Sequence, residues 1–151
     1  MAEYELVSPS DSETWRVYHA IRREMLFEAR GLLGVYDENR PDERAPGNYA
    51  KLLLVRGMPV GVIRIDITGH DANFRRVAIR LDVQRRGHGR AMLSLAETFA
   101  AAHGCTRILS HVAHDAVVFY EKCGFVRVDG ADAREVASSD DEAVCMTKGL
   151  V

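Results

Sequence analysis

Residues 77–99, VAIRLDVQRRGHGRAMLSLAETF, decide the fold. The stretch opens as a short apolar strand, passes through a basic turn with two glycines, and continues as a helix. In its second half Met92, Leu95, Ala96 and Phe99, with Ala100 just beyond, recur at the spacing of one helix face. The turn Gln84-Arg85-Arg86-Gly87-His88-Gly89-Arg90 therefore stands at a helix N-terminus. There the first amides lack intrahelical partners and the aligned peptide dipoles leave partial positive charge, so backbone N–H groups can wrap a phosphate. Gly87 and Gly89 let an anion approach the main chain, while Arg85, Arg86 and Arg90 add charge and donors. The turn reads as a cradle for a dianion or pyrophosphate. It is not a Walker loop, which needs four residues between its glycines and then Lys-Ser/Thr. Nor is it a dinucleotide fingerprint, which needs a glycine or alanine where Met92 stands. Taken alone, the turn also fits a basic, solvated helix cap.

Residues downstream argue against that plain cap. Gln84-x-x-Gly87-x-Gly89 resembles the Gln/Arg-x-x-Gly-x-Gly/Ala signature of the GCN5-related N-acetyltransferases (GNAT). Ala116-x-x-x-Tyr120-Glu121-Lys122-Cys123-Gly124-Phe125 resembles that family's Ala-x-x-x-Tyr-x-x-x-Gly-Phe run, in family order and at family spacing. The run Val77-Ala78-Ile79-Arg80-Leu81-Asp82-Val83-Gln84 is similar to the family's Val-Ala-Val-x-Pro-x-Tyr-Gln, with Leu81 in place of the usual proline. The likeness is clear over residues 74–128 and rests on element order towards the ends.

The chain's bulk properties agree with such a domain. Its 151 residues suit one domain, 1–151, able to bury about 70% of the unfolded surface. A formal charge of −2, with 28% charged and 47% hydrophobic residues, matches an ordinary globular composition and argues against nucleic acid as a partner. The start MAEYELVSPSD lacks the cationic and apolar regions of a signal peptide, and no apolar run reaches the ~20 residues of a membrane span. A cytoplasmic protein with no membrane partner is expected. Cys105, Cys123 and Cys145 are odd in number, widely spaced and without a CxxC pattern, which predicts reduced thiols and no metal site.

Working outward from the turn, residues 74–79 form a strand preceded by a turn at 69–73. Before it, strands at 50–56 and 60–68 join through Gly57-Met58-Pro59, Val60 and Val62 alternating with Gly61 and Ile63. Residues 4–7 alternate like a strand. Ser10-Asp11-Ser12-Glu13 then offers a capping box, Ser10 bonding the third helical amide and Glu13 reaching back. The helix it starts carries an apolar stripe of Trp15, Tyr18, Ile21, Met25 and Ala29. Residues 31–48 collect glycines and prolines and read as a long loop.

After the central helix, His103-Gly104 is a stop signal, and residues 106–113 are a strand. Strand, helix and strand in this order predict a parallel crossover pair, with the site where adjacent strands diverge. Asp115 is placed to cap a helix over 116–122. Residues 125–128 and 143–148 read as a closing antiparallel hairpin around the polar loop 130–141. Pattern and resemblance together predict an α/β (α+β) fold, with a central mixed, mostly antiparallel sheet of about six to seven strands flanked by helices.

The resemblance also implies the chemistry. Acetyl-CoA would be co-substrate, its pyrophosphate against the amides of residues 85–90 and its pantetheine arm pairing like a strand with Val77 and Ile79, Ala78 between them. The thioester oxygen would lie near the Ile79 amide, and Ala116 and Val117 would border the arm. Ala113 stands where many relatives carry asparagine, so one usual polar contact to the arm is absent and His114 or Asp115 is left to replace it. Tyr120 occupies the position of the tyrosine that donates to the departing thiolate. A phenol of pKa about 10 facing a thiol of about 8.5 stabilises sulfur by hydrogen bonding without full proton transfer.

The general base stays open among Glu24, Glu28, Asp66, His111 and a water chain. Cys123 without a histidine partner is expected to be inert, so direct attack by the amine in a ternary complex is expected. The resemblance implies an amine acceptor, small molecule or protein, shaped by the loop 31–48, and makes a homodimer a common arrangement. Two other readings remain: a non-catalytic acyl-CoA-binding regulator, and a nucleotide-binding module unrelated to CoA.

Overall fold

The computed structural model describes residues 3–27, 45–128 and 143–150. Glu28, Ala29, most of the predicted loop 31–48 and all of the loop 130–141 lie outside them. In chain order the described elements begin with β1 (Tyr4–Val7), α1 (Ser12–Arg22) running on into a π-helical turn (Arg23–Phe27), β2 (Asn48–Val55) and β3 (Met58–Thr68). They continue with β4 (Asp71–Ile79), a 3-10 turn (Leu81–Val83), α2 (His88–Ala102) and β5 (Arg107–Ala113). A second 3-10 turn (His114–Ala116), α3 (Val117–Lys122), β6 (Val126–Arg127) and β7 (Ala143–Gly149) complete them.

Seven strands form one sheet in the order β1-β2-β3-β4-β5-β7-β6. Every described pairing is antiparallel except β4 with β5, which the α2 crossover makes parallel. The predicted mixed, mostly antiparallel α/β sheet is therefore present. On one face α2 and α3 cover Ile63, Ile65, Phe74, Ile108 and Met146, with Met92, Leu93, Ala96 and Tyr120 contributed from the helices. On the other face Tyr18 and Ile21 of α1 pack on Ala50, Leu52, Val62 and Ala78. Each large apolar side chain so buried contributes roughly 1.5–3 kcal/mol relative to exposure. No helix among the described residues is long and apolar enough to cross a membrane.

Several local expectations shift by a residue, each for an identifiable reason. The cap of α1 is Asp11, not Ser10. Asp11 Oδ1 accepts from the Thr14 amide at 2.8 Å and Thr14 Oγ1 accepts from the Asp11 amide at 3.1 Å, a capping box built on aspartate and threonine. The β2–β3 turn is Arg56-Gly57 rather than Gly57-Met58-Pro59, with φ of 51° and 79°, the pair of positive angles that matches strand twist in a two-residue hairpin. Val60 is an extra residue between the pairs Leu53↔Gly61 and Leu54↔Pro59, so Val60 and Val62 point to opposite faces instead of sharing one. Asp115 does not cap α3; it lies within the 3-10 turn, and α3 starts from Ala116 with no side-chain cap.

Candidate active site

The parallel β4–β5 ladder runs from Asp71↔Arg107 to Phe74↔Ser110 and then stops, although β4 continues to Ile79 and β5 to Ala113. Beyond that point β4 stays with β3 (Val62↔Ala78, Gly61↔Ile79) and β5 stays with β7 (His111↔Cys145, Ala113↔Ala143). The facing edges of residues 75–79 and 111–113 thus border a wedge with no strand between them. The cause lies in β4. Between Arg64↔Arg75 and Val62↔Ala78 the chain advances two residues in β3 and three in β4, a bulge, with Arg76 in the left-handed region at φ 56°. Such a bulge bends its strand and sharpens the local twist, carrying β4 away from β5. Val77, Ala78 and Ile79 all lie on this edge. Ala78 is buried against α1, while Val77 and Ile79 pack partly against the α2 core, so what the wedge receives from them is backbone.

The basic turn opens beside the wedge. Arg85 (φ 65°) and Gly87 (φ 85°) both take left-handed angles, which folds the turn tightly before α2 begins at His88. No side chain caps α2, leaving its first amides to an outside acceptor. A Cβ on Gly87 would meet nothing within 4 Å; one on Gly89 would meet Phe119 Cζ at 3.1 Å. The side chains divide the predicted work unevenly. Arg85 and Arg86 are exposed. Gln84 donates from Nε2 to the Ile79 carbonyl at 3.0 Å, clipping the turn to the end of β4. Arg90 donates to the Lys122 carbonyl at 2.9 Å, joining α2 to α3. His88 Nδ1 sits 2.9 Å from Tyr4 Oη and so ties the turn to β1. Local spacing groups Gln84, His88 and Arg90 with Arg85 and Arg86, because it does not reveal which long-range partner claims a side chain.

Tyr120 lies on α3, buried, edge-on to Phe125 at 5.2 Å and to Phe119 at 5.6 Å. Burial pushes its phenol up to about 12, and its hydroxyl is hydrogen-bonded to Ser110. Ser110 is the last β5 residue paired with β4, so the phenol stands at the closed end of the wedge. Ser110 Oγ donates its one hydrogen to the Phe74 carbonyl at 3.0 Å and can therefore only accept from Tyr120. The resting chain is Tyr120 to Ser110 to Phe74. Ser110 is a site residue that sequence reasoning missed; a buried serine in an apolar strand, between Leu109 and His111, was the available signal. Ala116 is half-buried and Val117 buried in the core, so Val117 offers the wedge only its main chain.

The candidate bases part company. Asp66 is held by Arg64, Nε to Oδ1 at 2.8 Å and Nη2 to Oδ2 at 2.9 Å, and by Arg75 Nε at 3.0 Å, so both its oxygens are engaged. His111 lies one residue beyond Ser110, half-buried, with Nδ1 3.4 Å from Cys145 Sγ, a thiol that burial pushes up. Glu24 is exposed on the π-helical turn, and Glu28 lies outside the described residues. Among the described residues no group of three or more His, Cys, Asp or Glu side chains could hold a metal ion. Cys105, Cys123 and Cys145 form no disulfide.

The family described as "Acetyltransferase (GNAT) domain" matches residues 48–127. Solved structures resemble the chain over its whole length. A Lactobacillus plantarum protein described as an N-acetyltransferase is 24% identical, with a TM-score of 0.79 over 98% of this chain and 99% of that one. Escherichia coli ElaA is 15% identical, with a TM-score of 0.78 over 98% and 99%. The PaiA N-acetyltransferase of Thermoplasma acidophilum, solved in complex with coenzyme A, is 16% identical, with a TM-score of 0.72 over 98% and 99%.

Proposed function

The chain belongs to the GNAT acetyltransferase family, and on that premise we propose that residues 1–151 form one N-acetyltransferase domain that moves an acetyl group from acetyl-CoA to an amine by direct attack in a ternary complex. The observation that carries the reading is the uncapped, glycine-flanked N-terminus of α2 opening beside the wedge between β4 and β5. The residues present fit the co-substrate. The α2 amides and the Arg85 and Arg86 guanidiniums match a pyrophosphate, and the space beside Gly87 admits it. The unpaired edge of β4 at 75–79 matches an extended amide-bearing arm, which would add to the sheet as an extra strand. Acetyl-CoA supplies an activated acyl thioester.

The chain's own groups then hold and polarise. The backbone of Val77 and Ile79 would hold the arm, and the Ile79 amide would face the thioester oxygen, a preorganised donor where charge develops. Holding both reactants in the wedge supplies the largest gain, since positioning alone can remove several kcal/mol of barrier. Tyr120 donates to the departing sulfur the hydrogen that Ser110 accepts at rest. A phenol held at about 12 stays protonated through neutral pH and acts as a donor rather than a base. For the acceptor's proton, His111 lies on the wedge's β5 wall beside the Cys145 thiol, whereas both Asp66 oxygens are engaged by two arginines.

Thermal unfolding with and without acetyl-CoA, followed by thiol release against a panel of amines, tests the reading. Ligand at 100 times its Kd stabilises the folded state by about 2.7 kcal/mol. Stabilisation with release is the expected result. Stabilisation without release from any amine favours the non-catalytic regulator, and no stabilisation removes the cradle altogether.

A further inference from the structure

The wall of the wedge on the α1 side carries its own charge. Val62 and Ala78 face α1, while Ile63, Ile65 and Phe74 face α2, so strand alternation places Arg64, Asp66, Asn73 and Arg75 on the α1 side. Arg64, 3% exposed, grips Asp66 through two nitrogens, and Arg75 approaches the same carboxylate. Two guanidiniums share one carboxylate.

Arg75 has donors to spare. Its Nε lies 3.0 Å from Asp66 Oδ2 without hydrogen-bond alignment, a charge contact that steadies the group, and its terminal nitrogens engage nothing else among the described residues. The side chain is 40% exposed. Two residues earlier on the same face, Asn73 Oδ1 is buried with no hydrogen-bond partner. A guanidinium steadied on one edge presents its remaining donors as a fork that matches a carboxylate. A polyamine or aminoglycoside brought here would meet like charge. Arg75 is also the first β4 residue beyond the pairing with β5, beside the unpaired edge of Val77 and Ile79.

Resting on the reading of this wedge as the acyl-transfer site, we propose that the acceptor is an amine that also bears a carboxylate, an amino acid or a close relative, whose carboxylate seats on Arg75 while its amino group faces the open edge of β4. Arg75 is the specificity-determining residue; Arg64 and Asp66 position it. Asn73 Oδ1 is left to accept from a donor elsewhere on the acceptor.

The test is thiol release from acetyl-CoA with the twenty amino acids, the same twenty as α-amides, spermidine and an aminoglycoside, using wild type, Arg75→Gln and Arg75→Lys. We expect release from free acids. Arg75→Gln should raise the acid's KM at least tenfold and leave the KM for acetyl-CoA unchanged, and Arg75→Lys, which keeps the charge but loses the fork, should fall between. Should Arg75→Gln fail to fold by circular dichroism, the KM rise in Arg75→Lys is the deciding measurement. Release confined to amides, spermidine or the aminoglycoside, or an acid KM indifferent to both substitutions, overturns the proposal and leaves the transferase standing. No release from any amine while acetyl-CoA still stabilises the protein overturns the transfer reading, and this proposal with it.

Discussion

At the scale of the residue, Tyr120 joins stability to chemistry. Its phenol titrates from an ordinary 10.0 to about 12 on folding. Between those values the unfolded chain has released the proton and the folded chain has not, so stability falls as pH rises through that interval and is fully present below about 10. The loss is on the order of 2 to 3 kcal/mol for a group this buried. Urea denaturation at pH 8 and again near pH 11.5 should therefore show a steeper loss in wild type than in Tyr120→Phe, and equal losses would remove the account. The same substitution should lower kcat on the order of 10²-fold while leaving CoA affinity nearly unchanged, because the proposed mechanism has Tyr120 donate to the departing sulfur. Affinity falling in step with kcat would instead make Tyr120 a binding residue. For Ser110 the sequence offers only a lone serine in an apolar strand; that it meets a helix tyrosine is decided in three dimensions.

At the scale of the element, the turn into α2 separates two glycines that look alike in sequence. Gly87 takes φ 85°, and a Cβ there meets open space, so a substitution is strained through the backbone alone. Gly89 is helical, and its added Cβ would press on Phe119, a half-exposed ring with room to give. Gly87→Val should thus cost at least 1–2 kcal/mol of stability by chemical denaturation as well as CoA affinity. Gly89→Ala should keep the fold and weaken CoA by calorimetry; unaltered affinity in a folded Gly89→Ala would mean the α2 amides do not hold the pyrophosphate. At α1 the cap lies on Asp11, so Asp11→Ala should lower the urea midpoint and Ser10→Ala should leave it nearly in place. The reverse order would restore the Ser10 cap. Both residues are good caps by type. The choice between them shows in the Thr14 amide, which donates to Asp11 Oδ1, whereas the Thr14 hydroxyl accepts from the amides of both Ser10 and Asp11.

At the scale of the whole molecule, the wedge exists because two strands joined over four register positions are then drawn to different neighbours. Wedge-facing amides of residues 75–79 have no ladder partner and should exchange hydrogen faster than the amides of β4 that pair with β5. Acetyl-CoA should slow them at least tenfold in native-state exchange, while β1 and β2 stay unchanged. Uniform slowing across the sheet would reflect general stabilisation and argue against an arm lying along β4.

The sequence by itself determined what depends on neighbours along the chain. The helix period of α2, the glycine-bearing turn before it, the stop at His103-Gly104 and the strand-helix-strand order that forces β4 and β5 parallel are all local or short-range facts. Tertiary structure decided whatever depends on which distant group claims a side chain or which neighbour claims a strand. Gln84 pairs with the Ile79 carbonyl, Arg90 with that of Lys122, His88 with Tyr4 and Asp66 with two arginines, partners that local spacing does not reveal. The bulge at Arg76 belongs to the same class. Arg76 takes a left-handed angle inside a strand, where no turn calls for it, and the register that requires it is set by Val62 and Arg64 of β3, not by the letters around Arg76.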